Sequence, residues 1–184
     1  MTMPMTAQAL LTVEEWGLLP EDDARELVEG RLVEAEMGTF AHGYVVAELS
    51  ALLREYFRPR GAWVVGDGVR LSIGERKGRV PDAAVFLERP SPRGVVQVPP
   101  AIVVEVLSEG AENHRRDRIA KLDEYAKRGI AQYWIVDPED RTVEIFALRS
   151  GLYARVAAAE TGALVVPDHE GLVVDVGALF AGLD

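Results

Sequence analysis

The stretch VPDAAVFLERPSPRGVVQVPPAIVVEVLSEGAENHRRDRIAK, residues 80–121, decides the fold. Two runs within it, VPDAAVFL (80–87) and AIVVEVLS (101–108), are short, apolar and rich in β-branched residues, as strands buried on both faces are. They are expected at the centre of a sheet. From Asn113 to Arg128 the apolar residues Ile119, Leu122, Tyr125 and Ala126 fall on one helical face, and Gly129 supplies the stop. Each strand also carries one carboxylate: Asp82 follows Pro81, and Glu105 is the sole charge in AIVVEVL. An ionised carboxylate in such a strand is costly unless it meets a cation or several donors. Two on neighbouring strands repel unless positive charge lies between them, and a hard divalent ion with oxygen ligands would supply it. The blander alternative gives each carboxylate an arginine, of which the chain has 17.

Outward from this stretch the pattern stays mixed. QYWIVD (132–137) reads as a strand ended by Pro138, with Trp134 in the core and Asp137-Pro138 starting a turn. VEIFAL, LYARVA, ALVV and GLVV follow with the spacing of meander edge strands, and Val176 to Phe180 closes as a short helix. On the other side, Gly74 to Arg79 reads as a charged turn. WVV and VRLSI are expected as paired strands around Gly66-Asp67-Gly68. Between Phe40 and Phe57, residues Val45, Val46, Leu49, Leu52, Leu53, Tyr56 and Phe57 recur as on one face of an amphipathic helix. ELVEGRLVE predicts two short strands joined at Glu29-Gly30, and Thr12-Val13-Glu14-Glu15 fits a capping box for a leading helix stopped by Pro20. The sum is one α+β domain over residues 1–184 with a mixed sheet.

Composition excludes whole classes of function. With no cysteine, disulfide frameworks, zinc ribbons, iron–sulfur clusters and thiol nucleophiles are absent. No apolar run approaches the length of a membrane span. The first basic residue is Arg25, so the opening lacks the charged start of a secretory signal, and a cytoplasmic location is expected. A net charge of -10 speaks against coating nucleic acid by bulk electrostatics, while a local basic patch is still compatible with a nucleic-acid enzyme. Ser108 has no nucleophile-elbow context, Gly66-Asp67-Gly68 lacks the spacing of a phosphate loop, and the aromatic residues do not interleave with basic ones.

Five phrases in order carry a resemblance: HGYVVAEL (42–49), RVPDAAVF (79–86), VVEVLS (103–108), RDRIAKLDEYAKRGI (116–130) and YWIVDP (133–138). Together they resemble the PD-(D/E)xK nuclease superfamily, with its restriction-endonuclease-like core, and in particular wording the Uma-two family. The resemblance covers nearly the whole chain. It implies that Asp82 and Glu105 are metal ligands on adjacent strands, holding Mg²⁺ or Mn²⁺. The superfamily lysine would stand two residues after Glu105, where this chain has Leu107. In the Uma-like pattern the lysine lies on the following helix, at Lys121. Its stem flanks the apolar helix face, so the ammonium could reach the sheet edge, although an ordinary solvated lysine has the same spacing.

The activity implied is metal-dependent hydrolysis of DNA phosphodiester bonds, with Asp82, Glu105 and Lys121 catalytic. Arg115, Arg116 and Arg118 form the clearest basic patch and could receive phosphates, or could lie in ion pairs with Asp117, Asp123 and Glu124. His42 is a candidate substrate contact or merely a helix-start residue, and Glu26 a candidate accessory acid. A catalytically silent scaffold of the same fold, binding nucleic acid or a protein partner, is the alternative that Leu107 and the acidic charge favour. A homodimer is expected, because cutting both strands of a duplex gains from two sites and two-fold dimers are the commonest oligomers.

Overall fold

The Thr12 capping box is formed: the Thr12 hydroxyl accepts from the Glu15 amide, and the Glu15 carboxylate accepts from the Thr12 amide, opening α1 (Val13–Gly17). The computed structural model describes residues 10–34, 38–108 and 114–184, with side chains in the last stretch described from Ala120 onward. Next come β1 (Glu26–Val28) and β2 (Arg31–Val33), a hairpin turning through Glu29 and Gly30, both at positive φ. Helix α2 spans Phe40–Phe57, the bounds its periodicity predicts, and buries Val45, Leu49, Leu53 and Phe57.

Strands β3 (Trp63–Gly66), β4 (Leu71–Gly74), β5 (Lys77–Arg79), β6 (Ala83–Phe86) and β7 (Ile102–Val106) follow. Beyond them lie α3 (His114–Arg128), β8 (Gln132–Asp137), β9 (Thr142–Arg149), β10 (Leu152–Ala159), β11 (Ala163–Val165), β12 (Val173–Asp175) and α4 (Val176–Phe180). The main sheet has six strands in the order β10-β9-β8-β7-β6-β3. Only β7 and β8 pair in parallel, and α3 is the crossover that a parallel pair requires. As expected, β6 and β7 are buried along their whole length.

Strand alternation splits the core in two. Val85, Val104 and Trp134 pack with Leu49 and Leu53 of α2. Val103, Tyr133 and Ile135 pack with Tyr125 of α3, joined by Leu71 of β4. A second, four-stranded sheet, β2-β1-β5-β4, joins this α3-side core through Leu71.

Three expectations are corrected. WVV and VRLSI do not pair: β3 joins β6 in the main sheet, whereas β4 joins β5 in the small one. The anchor for that divergence is Arg70, whose buried guanidinium donates to the carbonyls of Trp16, Leu19, Pro20 and Asp23 and fixes the start of β4 beside α1. Gly74 to Arg79 is not simply a turn, because Lys77–Arg79 is a strand paired with both β4 and β1. The meander ends at β10, and β11 with β12 forms a separate ribbon whose inward Leu164 and Val174 join the α2-side core.

Gly78 shows why a charged, glycine-containing segment becomes a strand. A Cβ there would overlap the ring of Trp16, a fully buried side chain whose indole N–H donates to the Arg25 carbonyl at 2.9 Å. Gly78→Ala is therefore expected to cost about 1–3 kcal/mol through overpacking. The check is a thermal melt, in which an unchanged midpoint would contradict the close approach. Among the described residues no helix is long and apolar enough to cross a membrane.

Candidate active site

Strand register brings the two carboxylates together. Ala83 faces Val104 across β6 and β7, so the next step of the antiparallel register brings Asp82 to Glu105, which by alternation faces α3. Asp82 lies just past the ladder, and its carboxylate takes over a ladder role: Oδ2 accepts from the Val106 amide at 2.6 Å. Oδ1 lies 3.1 Å from Nε2 of His42, in the first turn of α2, where the Thr39 hydroxyl caps the helix through the His42 amide. The hydrogen bond to Asp82 raises the His42 pKa above its ordinary value, against the opposing effect of burial.

Glu105 projects from a buried strand and is itself buried. Its Oε1 accepts from the Tyr125 hydroxyl at 2.6 Å and its Oε2 from Lys121 Nζ at 2.9 Å. Burial above all, with the Lys121 charge opposing it and the nearby Asp82 charge adding to it, leaves the Glu105 carboxyl pushed up to about 7. Burial, with the Glu105 charge adding to it, also holds the Tyr125 phenol well above its usual range, so it stays a neutral donor.

Lys121 and Tyr125 are four residues apart on α3 and therefore share a face. The Lys121 ammonium is not a solvated surface charge: only 12% of its side chain is exposed. Nζ also lies 3.9 Å from Oε1 of Glu26, on β1. That same oxygen accepts from the Val80 amide, and the other, Oε2, accepts from Arg79 Nη1 at 2.6 Å. Arg79 Nε reaches Glu124 of α3 at 2.8 Å. Burial works against the Arg79 cation, but Glu124 and Glu26 outweigh it and raise its pKa.

Asp82, Glu105, Lys121, His42 and Glu26 are thus gathered at one end of β6 and β7. Among the described residues the partners of the two carboxylates are not arginines: Glu105 has lysine and tyrosine, and Asp82 has histidine and a backbone amide. Arg115, Arg116 and Arg118 lie on the backbone of α3, and their side chains fall outside the described residues. Glu124, offered above as a partner for those arginines, binds Arg79, while Asp123 pairs with Lys127 on the exposed face. Sequence reading missed Arg79 altogether and placed Tyr125 only in the core. For Tyr125 a signal existed, since it follows Lys121 by four residues.

The carboxylate oxygens of Asp82 and Glu105 are hard donors, the kind a hard cation takes. Among the described residues no group of three or more His, Asp or Glu side chains forms a metal cage. Two carboxylates still fit Mg²⁺, which keeps several waters and takes phosphate oxygens from its substrate.

A mixed sheet flanked by helices has the arrangement of restriction-endonuclease-like proteins. The chain belongs to the Uma2 family, described as "Putative restriction endonuclease", whose model matches residues 10–177. A solved structure described as "a putative nuclease belonging to DUF820 from Anabaena variabilis" superposes with a TM-score of 0.75. It is 22% identical, with 95% of this chain and 99% of that one covered, and so supports the fold. No curated protein matches the chain. Family membership makes a nuclease-like function, with nucleic acid as its substrate class, the coarse reading of this site.

Proposed function

We propose that the protein is a metal-dependent endodeoxyribonuclease acting at the Asp82–Glu105 pair. The observation that carries this reading is Glu105, a buried carboxylate opposite Asp82 with an ammonium 2.9 Å away. Asp82 and Glu105 would hold Mg²⁺ or Mn²⁺, which when bound lowers the pKa of water and neutralises charge on a phosphoryl group. Lys121 adds fixed positive charge beside Glu105 and orients an attacking water or a phosphate oxygen. Tyr125 keeps the Glu105 carboxylate aimed by holding its other oxygen. His42 orients Asp82 and, at the strand ends, would donate to a substrate phosphate. Arg115, Arg116 and Arg118 would lead the nucleic-acid backbone toward the site. The reading includes a cytoplasmic homodimer, which presents two such sites to a duplex.

The test is incubation of supercoiled plasmid with the protein and Mg²⁺ or Mn²⁺, with EDTA as the control. Nicked and linear products that EDTA abolishes are expected, from a species that light scattering sizes as a dimer. A folded preparation that binds DNA and cuts neither duplex nor single strands with either ion would overturn the enzyme in favour of a silent scaffold. Leu107, in the place of the superfamily lysine, is the observation behind that second reading. Lys121 at hydrogen-bond distance from Glu105 answers it, because the cation arrives from α3 instead.

A further inference from the structure

We propose that Arg79 is a positioning residue for Lys121: by occupying Glu26 it leaves the Lys121 ammonium to Glu105. The inference rests on the reading above that Lys121 acts beside Glu105, and it adds a residue which that reading does not use. Lys121 Nζ stands between two carboxylates, 2.9 Å from Glu105 and 3.9 Å from Glu26. A lysine ammonium is a compact charge on a four-carbon stem and follows whichever carboxylate is least neutralised. Arg79 Nη1, 2.6 Å from Oε2 of Glu26, is the cation that neutralises it, beside the Val80 amide on Oε1.

The other end of the guanidinium fixes the helix. Arg79 Nε binds Glu124 at 2.8 Å, and Glu124 follows Lys121 by three residues, one helical turn. Its neighbour Tyr125 binds Glu105 on the main sheet. Helix α3 is thereby pinned at two adjacent residues to two different sheets, which sets where the Lys121 stem begins. Arg79 is 4% exposed, and its planar fork serves Glu26 and Glu124 at once, a geometry that a lysine could not reproduce. With the fork removed, Glu26 becomes the more attractive partner and the ammonium moves off Glu105.

The chain has three lysines, at 77, 121 and 127, so labelling lysine with ¹³C and ¹⁵N gives three side-chain signals, and Lys121→Met assigns the one in question. In Arg79→Gln the Lys121 signal is expected to shift while that of exposed Lys127 stays in place. Turnover on plasmid should fall about 10-fold or more with KM within about twofold, because placement of a charge is lost and substrate binding is not. A merely structural clamp would lower the melting temperature and leave the Lys121 signal of the folded protein unmoved, and that result overturns the proposal. Should Arg79→Gln fail to fold, Arg79→Gln combined with Glu26→Gln removes the buried cation together with the carboxylate it occupies, and the Lys121 signal should then stay where Glu26→Gln alone puts it; a further shift would overturn the competition for Lys121. The spectrum needs no activity: a protein that cuts nothing yet shows the shift sinks the nuclease reading alone, and one that cuts with an unshifted Lys121 sinks the Arg79 role alone.

Discussion

Asp82→Asn abolishes metal-dependent cleavage and leaves the protein folded: a loss of at least about 10³-fold in turnover, roughly 4 kcal/mol, is the expected result. Asparagine is the informative substitution because the Asp82 carboxylate has two separable jobs. Its Oδ2 satisfies the Val106 amide at 2.6 Å, and leaving that buried donor orphaned would cost about 1–3 kcal/mol of stability. The asparagine carbonyl can keep that bond, while the negative charge a divalent ion requires is gone. Removing the charge also relieves Glu105, which lies opposite and is raised by it. Stability should therefore hold or rise slightly in Asp82→Asn, whereas Asp82→Ala, sharing the relief but losing the acceptor, should melt lower than Asp82→Asn. Calorimetric titration with Mn²⁺ supplies the second readout. Wild-type cleavage rates, or undiminished Mn²⁺ affinity, would remove Asp82 from the site.

Local patterns were legible from sequence, and distant partners were not. The α2 bounds, the Glu29-Gly30 hairpin, and the burial of β6 and β7 each follow from periodicity or turn chemistry within a few residues. The pair of carboxylates was legible for the same reason, since an acid inside an apolar run is conspicuous without knowledge of its neighbours. Strand β5 was not, because Lys-Gly-Arg has neither the alternation nor the β-branched content of a strand. What makes it one lies far off in the chain: the Trp16 ring against Gly78, and Glu26 and Glu124 for Arg79, 53 and 45 residues away. The choice of β6 over β4 as the partner of β3 is of the same kind. Adjacent strands joined by a glycine bend suggest a hairpin, and only the carbonyls that collect around Arg70 show why this bend opens instead.

Lys121→Met should lower turnover about 10²-fold, roughly 2.7 kcal/mol, without weakening Mn²⁺ binding. Methionine keeps the apolar stem and deletes the ammonium, so packing along α3 is preserved. Sequence alone would assign almost no stability cost to losing a surface charge. The structure raises it, because Glu105 is 8% exposed and loses one of its two side-chain donors. About 1–3 kcal/mol is expected, with the Tyr125 hydroxyl retained on the other oxygen limiting the loss. Metal affinity runs the opposite way. The ammonium occupies Oε2 of Glu105, so any ion taking that oxygen competes with it, and the variant should bind Mn²⁺ as tightly as the wild type or more so. A preparation with weak turnover and intact or improved Mn²⁺ affinity separates the role of Lys121 from that of the two carboxylates. Full turnover in Lys121→Met would return this lysine to a structural partner of Glu105, and parallel loss of Mn²⁺ binding would make it a support of the metal site instead.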